Sequence, residues 1–240
     1  MQGFLVRTSA SLKLSHFAQL AIVRQRHGSA GDVLVATTAS CQAALVQVRE
    51  ATGEVLHQWA AHELEVWSGA FDQWQDNLLH TGADDAIWHG WDMRDLNAPV
   101  FSIRKEHQAG VCCIQSHPCQ EHVICTGSYD EHARLWDCRS MAKPLLTAKL
   151  GTGGGVWRLR WHPHHPTLLL AACMQEGFEV LQCGSNFSKI KVQQHYGAQR
   201  TLAYGADWCH RADQSPLVAT CSFYDKLCCP ADGTGDPAIA

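Results

Sequence analysis

The segments TGADDAIWHGWD (81–92) and TGSYDEHARLWD (126–137) align without a gap at an offset of 45 residues. The same offset carries His62 to His107, Gly82 to Gly127, Asp85 to Asp130 and Trp91 to Trp136. One step further on lies a degenerate copy, Ala171 to Leu181, and the pair His117-Pro118 falls on His162-Pro163. One step back from TGADD lie Ala36 to Ser40, with Leu34 under Leu79 and Val46 under Trp91. GADW (205–208) followed by LVATCSFYD (217–225) marks a fifth unit. Self-similarity at a fixed period of this length marks a repeat architecture, in which neighbouring units bury each other's apolar faces.

Each unit reads as short strands separated by turn residues. In the third these are Val111 to Ile114, a turn at His117-Pro118, His122 to Thr126, a tight turn at Tyr129-Asp130-Glu131, Ala133 to Trp136, and Pro144 to Lys149. No long 3.6-residue period competes with them. A lone four-stranded unit cannot cover both of its faces, and radial stacking leaves only short protected edges. The expected fold is therefore all-β, a β-propeller of about five 45-residue units. Propellers use about four to eight blades, which leaves room for an incomplete ring. The chain divides into an irregular or degenerate first segment (1–31), the propeller (32–227) and a small-residue tail (228–240) that resembles neither strand nor cap.

Composition narrows the function. The 240 residues are 46% apolar and 18% charged, and 19 basic against 23 acidic residues give a net charge of −4. That balance excludes an electrostatic nucleic-acid binder. Trp59, Trp67, Trp74 and Trp88 have no interleaved basic residues and read as packing between blades rather than base stacking. The longest apolar run, Leu168 to Met174, is far short of the roughly 20 residues a membrane helix needs. Twelve cysteines without a CxxC pair, and a start without a secretory h-region, read as reduced core residues of a cytoplasmic protein. The first 31 residues hold Arg7, Lys13, Arg24 and Arg26 and no acid, a loose match to a transit peptide. SLKL (11–14) and QLAIV (19–23) fit strands better.

Gly82 with Trp91-Asp92, and Gly127 with Trp136-Asp137, each with a histidine 29 residues before the tryptophan, resemble the WD-repeat family. The resemblance implies a structural hydrogen-bond network of His107, Asp130, Trp136 and Ser128 in the third unit. It implies His62, Asp85 and Trp91 in the second, incomplete because Ala83 stands at the hydroxyl position. WAAHELEVWSGAFDQW (59–74), GVCCIQSHP (110–118), EHVICTGSYDEHARLWD (121–137) and GGGVWRLRWHPHHPTLLLAACMQEGF (153–178), with YGADW and LVATCSFYD, are similar to the WD-repeat methyl ester hydrolases of diphthamide biosynthesis. The resemblance spans roughly residues 55 to 227. It implies hydrolysis of the methyl ester of methylated diphthine, a modified histidine of elongation factor 2, to diphthine and methanol. The implied partner is elongation factor 2, with no cofactor, nucleic acid or membrane. Members of that family carry more sequence before Gln58 and continue beyond Asp225 into a closing strand with tryptophan, where this chain has its small-residue tail.

Ester hydrolysis needs an activated nucleophile and an oxyanion stabiliser. The GxSxG elbow is absent, so water activated by histidine or carboxylate is the expected nucleophile. Polar residues of the distinctive segments outside the repeat network are the candidates: His132, Arg158, His162 with His164 and His165, Tyr224 and Asp225. Arg158 suits an anionic group or the oxyanion, or pairing with a neighbouring acid. Two other readings compete: a non-catalytic WD-repeat adaptor, and a metal-dependent hydrolase built on HPHHP with Cys173, whose spacing matches no established zinc pattern.

Overall fold

The computed structural model describes residues 7–8, 32–49, 52–140, 142–197, 199, 201–210, 217–222, 224 and 227–231. These form five sheets, and no helix occurs among the described residues. In the first sheet, β2 (Asp32–Thr37), β3 (Gln42–Arg49) and β4 (Thr52–Ala60) run antiparallel, and β1 (Arg7–Thr8) pairs in parallel with β4. Three four-stranded antiparallel meanders follow. The second sheet is β5 (Val66–Phe71), β6 (Leu78–Ala83), β7 (Trp88–Asp92) and β8 (Phe101–Ile103). The third is β9 (Val111–Ser116), β10 (Val123–Ser128), β11 (His132–Asp137) and β12 (Leu145–Gly151). The fourth is β13 (Arg158–Trp161), β14 (Leu168–Ala172), β15 (Phe178–Cys183) and β16 (Ile190–Tyr196). The fifth is β17 (Ala203–Trp208), β18 (Val218–Ser222) and β19 (Leu227–Ala231).

The core lies between sheets rather than within one. Leu79, Trp91 and Phe71 of the second sheet pack on Val35 and Leu45 of the first, while Trp88 and Phe101 of the same sheet pack on Val111, Ile124 and Trp136 of the third. Adjacent residues such as Val35 and Ala36 thus both find cover, on opposite faces of one strand. Glycine sets the spacing between sheets. A Cβ at Gly82 would lie 2.6 Å from Val111 Cγ1, and one at Gly127 would lie 2.6 Å from Val156 Cγ1 and 2.9 Å from its carbonyl oxygen. The period is equally strict in the backbone: Cys41, Ala86 and Glu131, each 45 apart, hold left-handed φ values of 64°, 61° and 64° in the turn between second and third strands.

The period-based strands agree with β9 to β12 to within a few residues. QLAIV (19–23) and SLKL (11–14) lie outside the described residues, as do 232–240. The segment from 228 departs from the tail expected there: β19 pairs with β18 through Leu227↔Ser222 and Cys229↔Thr220. Antiparallel pairing draws on backbone groups alone, and the strand lies at the edge of its sheet, where Pro230 with no N–H is tolerated. Among the described residues, β17–β19 do not pack on the first sheet as consecutive sheets do on each other.

Candidate functional site

The repeat histidines are committed to structure, in a pattern that departs from the one expected. In the second sheet, His62 Nε2 bonds Thr81 Oγ1 (2.8 Å), Trp91 Nε1 donates to the same hydroxyl (2.8 Å), and His62 Nδ1 lies 3.0 Å from Asp85 Oδ2. That network is complete, because its hydroxyl comes from Thr81 rather than from position 83. In the third sheet, Thr126 Oγ1 likewise receives His107 Nε2 (3.0 Å) and Trp136 Nε1 (2.9 Å), but His107 Nδ1 has no partner. Asp130 is held instead by Arg134, through 2.9 and 2.5 Å bonds, and by the Gln108 N–H at 2.8 Å. Ser128 joins this network through Asp130 rather than His107, its hydroxyl donating to Ala109 O and accepting from the Asp130 N–H. The cause is the residue 45 positions after His89. There Arg134, fully buried, brings a permanent cation and a planar fork that outcompetes a neutral imidazole for the carboxylate. Burial first, and then the Arg134 charge, push His107 down to about 3. Burial opposes ionisation of Asp130, yet Arg134 and the Gln108 N–H bring its carboxyl below the usual range.

A second repeated position closes the turn after each first strand. Asp72 Oδ1 accepts the N–H groups of Trp74 and Gln75 at 2.8 and 2.9 Å. His117 Nδ1 accepts those of Cys119 and Gln120, and His162 Nδ1 those of His164 and His165, all at 3.0 Å. His162 is 5% exposed and its ring lies against Trp208. Burial and then His165 push it down to about 4. A lone pair shared by two backbone amides is not available to a metal. Among the described residues no group of three His, Cys, Asp or Glu side chains is placed to hold one. The HPHHP turn also anchors its neighbour, since His117 Nε2 donates to Pro166 O at 2.6 Å.

His132 and Arg158 lie at the other end of the strands, where outer strands return to the next sheet and second strands turn into third ones. His132 opens β11, and its Nδ1 donates to the Asp130 carbonyl oxygen at 2.6 Å, with Asp130 Oδ1 3.6 Å away. A carbonyl only accepts, so the proton sits on Nδ1 and the neutral ring carries its free lone pair on Nε2. Arg158 opens β13, where burial and then the Arg160 charge lower its pKa, opposed by Asp207. Tyr224 is 62% exposed in the turn after β18, and Asp225 lies outside the described residues. The structure thus places His132, Arg158 and Tyr224 at one end and His162, His164 and His165 at the other.

Sequence reading missed what surrounds the first group. Trp67 and Trp157, 90 residues apart, hold the same place at the start of two first strands, with ring centroids 6.0 Å apart. Tyr129 meets Trp67 at 6.1 Å, and Tyr204 meets Trp157 at 5.3 Å and Tyr224 at 6.2 Å. The double period of the two tryptophans was the available signal; the tyrosines repeat at no fixed interval.

Curated relatives named "Diphthine methyltransferase" match over most of the chain. The mouse (Mus musculus) protein is 46% identical over 180 residues, which is 73% of this chain and 37% of that protein. The human (Homo sapiens) protein is 38% identical over 189 residues, 75% of this chain and 41% of that protein. The Schizosaccharomyces pombe protein is 34% identical over 179 residues, 74% of this chain and 54% of that protein. The chain is a WD-repeat homologue of the diphthine methyltransferases. It spans well under two thirds of the length of each of these relatives. The "WD domain, G-beta repeat" family matches residues 98–137, the unit of this diphthine methyltransferase homologue whose Asp130 is held by Arg134. A solved chain from the "Crystal Structure of Mitotic Checkpoint Complex" superimposes with a TM-score of 0.66 at 21% identity, over 81% of this chain and 56% of that one. That likeness concerns the propeller fold alone.

Proposed function

We propose that this chain is the catalytic propeller portion of a protein methylesterase of diphthamide biosynthesis, hydrolysing the methyl ester of methylated diphthine on elongation factor 2. The observation that carries the proposal is the 46% identity to a protein named diphthine methyltransferase over 180 residues. The end of the fold holding His132 and Arg158 supplies the chemistry. Water attacks the ester carbonyl carbon while His132 Nε2 takes its proton, the ring being oriented by the Nδ1–H bond to the Asp130 carbonyl oxygen. Arg158, already stripped of much of its water, offers N–H donors to the oxyanion or to the product carboxylate. When the C–OCH3 bond breaks, the imidazolium returns its proton to the leaving methoxide and methanol departs. His162, tied into a turn at the opposite end, holds that turn and has no part in the reaction.

Intact-mass analysis of methyl-esterified elongation factor 2 before and after incubation with this chain tests the reading. The ester is expected to convert to the acid, and His132→Gln is expected to slow conversion by about 10²–10⁴-fold, the usual worth of a general base. A chain that melts cooperatively and leaves the ester intact refutes it and favours a binding role.

A further inference from the structure

The first strand of the fourth sheet carries two cations that the repeat does not require. The N–H groups of Asp72, His117, His162 and Cys209 each close the turn that follows a first strand. Four and two residues before them stand Ser68 and Ala70, Cys113 and Gln115, Arg158 and Arg160, and Gly205 and Asp207. Only β13 places basic residues there. Leu159 and Trp161, which alternate with the arginines, pack into the core shared with the third sheet. Arg158 and Arg160 therefore share the other face of the strand, their Cα atoms about 6.5–7 Å apart, and both are half-buried.

Neither cation has a matching acid. The carboxylate that acts on Arg158 is Asp207 of β17, which is exposed and accepts the Trp208 N–H at Oδ1 (2.9 Å). Among the described residues it forms no ion pair with either arginine. Arg160 Nε is buried without a partner. Its Nη1 meets Gln115, whose amide, turned to present its oxygen there, also donates to Leu159 O at 3.1 Å. Two guanidiniums drawn partly out of water on one strand face repel each other, and their unused N–H groups are costly to leave unmet. An oxyanion removes both penalties. A planar carboxylate matches one guanidinium fork, whereas the oxygens of a tetrahedral phosphate point in separate directions and can engage two.

We propose that Arg158 and Arg160 together bind a tetrahedral oxyanion of the phosphate class, either free or as a phosphomonoester. The site stands apart from the methylesterase reading, and one consequence rests on that reading. Arg158 is there assigned to the oxyanion of the ester, so a bound phosphate competes with the ester, raising KM and leaving kcat unchanged.

Ligand-observed NMR on the full chain at fixed ionic strength tests the site with inorganic phosphate, methyl phosphate and acetate. Both phosphates are expected to bind saturably and at least about tenfold more tightly than acetate, and their order tells the free anion from the monoester. Arg160→Gln is expected to weaken phosphate binding at least about tenfold. Asp207→Asn, at an exposed position, removes the competing acid and should tighten binding about twofold or more with an unchanged melting curve. No saturable phosphate binding, equal binding of acetate, or indifference to either substitution overturns the proposal. Ester hydrolysis is read separately. Turnover without phosphate binding removes this inference and leaves the esterase, and phosphate binding without turnover does the reverse. Phosphate that binds without raising KM overturns the shared use of Arg158.

Discussion

Replacing Arg134 by leucine tests the account of why two units with the same histidine, hydroxyl and tryptophan are wired differently. Arg134 is fully buried, holds Asp130 through two bonds and donates to Glu106 O at 2.7 Å. Removing one partner of a buried ion pair costs about 3–5 kcal/mol. Part of that is recoverable, since Asp130 keeps the Gln108 N–H and gains access to the unpartnered His107 Nδ1, a charge-assisted bond worth about 1.5–3 kcal/mol. The net loss is therefore about 1.5–2 kcal/mol, or about 3–8 °C in melting temperature for a chain of this size. Arg134→His, which copies His89 of the preceding unit, should lose less, because it permits the His–Asp pairing seen at His62 and Asp85. The decisive readout is the His107 ring resonance. It should titrate near pH 3 in the native protein and move well up in Arg134→Leu, where the neighbouring cation is gone and a carboxylate is free to pair. A variant that melts within about 2 °C of the parent, or a His107 that titrates unchanged, refutes the reasoning.

Gly127→Ala places a methyl against Val156 Cγ1 and the Val156 carbonyl of the next sheet; overpacking of that kind costs about 1–3 kcal/mol and should appear as a lower urea midpoint. Glu131→Gly relieves a left-handed residue while keeping the carbonyl that accepts the Thr152 N–H, so it should raise stability by up to about 1 kcal/mol in the same assay. Acid should weaken the fold below pH 6.5. Burial holds His89 at about 4 and His107 at about 3, so between these values and the ordinary histidine range the unfolded chain binds the extra protons. Stability present at pH 7 is then lost as pH falls, by about 2 kcal/mol for each of the two at pH 5, with Asp72, Asp85 and Asp130 adding further loss below about pH 4. Equal urea midpoints at pH 7 and pH 5 would contradict this.

The repeat was legible because a fixed 45-residue offset preserves strands, turns and even left-handed backbone positions together. What failed were choices that the offset does not decide. Thr81 and Ala83 lie two apart on β6 and so face the same side; only the pairing register places Thr81, and not position 83, under His62. In the third unit, likewise, Thr126 is the residue under His107, and the Ser128 hydroxyl meets Asp130 instead. Arg134 could have been read, because the position two residues before each network tryptophan, on the same face of the strand, is His89 in one unit and Arg134 in the next, and a guanidinium beside a buried carboxylate dominates a histidine. The turn-closing role of His162 was likewise written in the offset from Asp72 through His117, two different acceptors doing one job.

That same bookkeeping of histidine partners narrows the search for a catalytic base. Fifteen histidines in 240 residues invite a catalytic or metal reading of any of them. Most of those at strand ends and in sheets are held by fixed partners: His62 and His107 by threonine, His117 and His162 by turn amides, His80 by Asp72 and Trp88, and His89 by Ser102. Four of these, His89, His107, His117 and His162, are also pushed down by burial before any other cause, so they resist the protonation that a general base must undergo. His132 differs on each point that matters for base catalysis. Its ring is about one-third exposed, its proton is fixed on Nδ1 by a backbone carbonyl, and Nε2 keeps its lone pair. It also lies at the end of the fold where Arg158 and the exposed aromatic side chains are found. Substituting His162 should therefore disturb stability through its turn, whereas substituting His132 should disturb turnover with the fold retained.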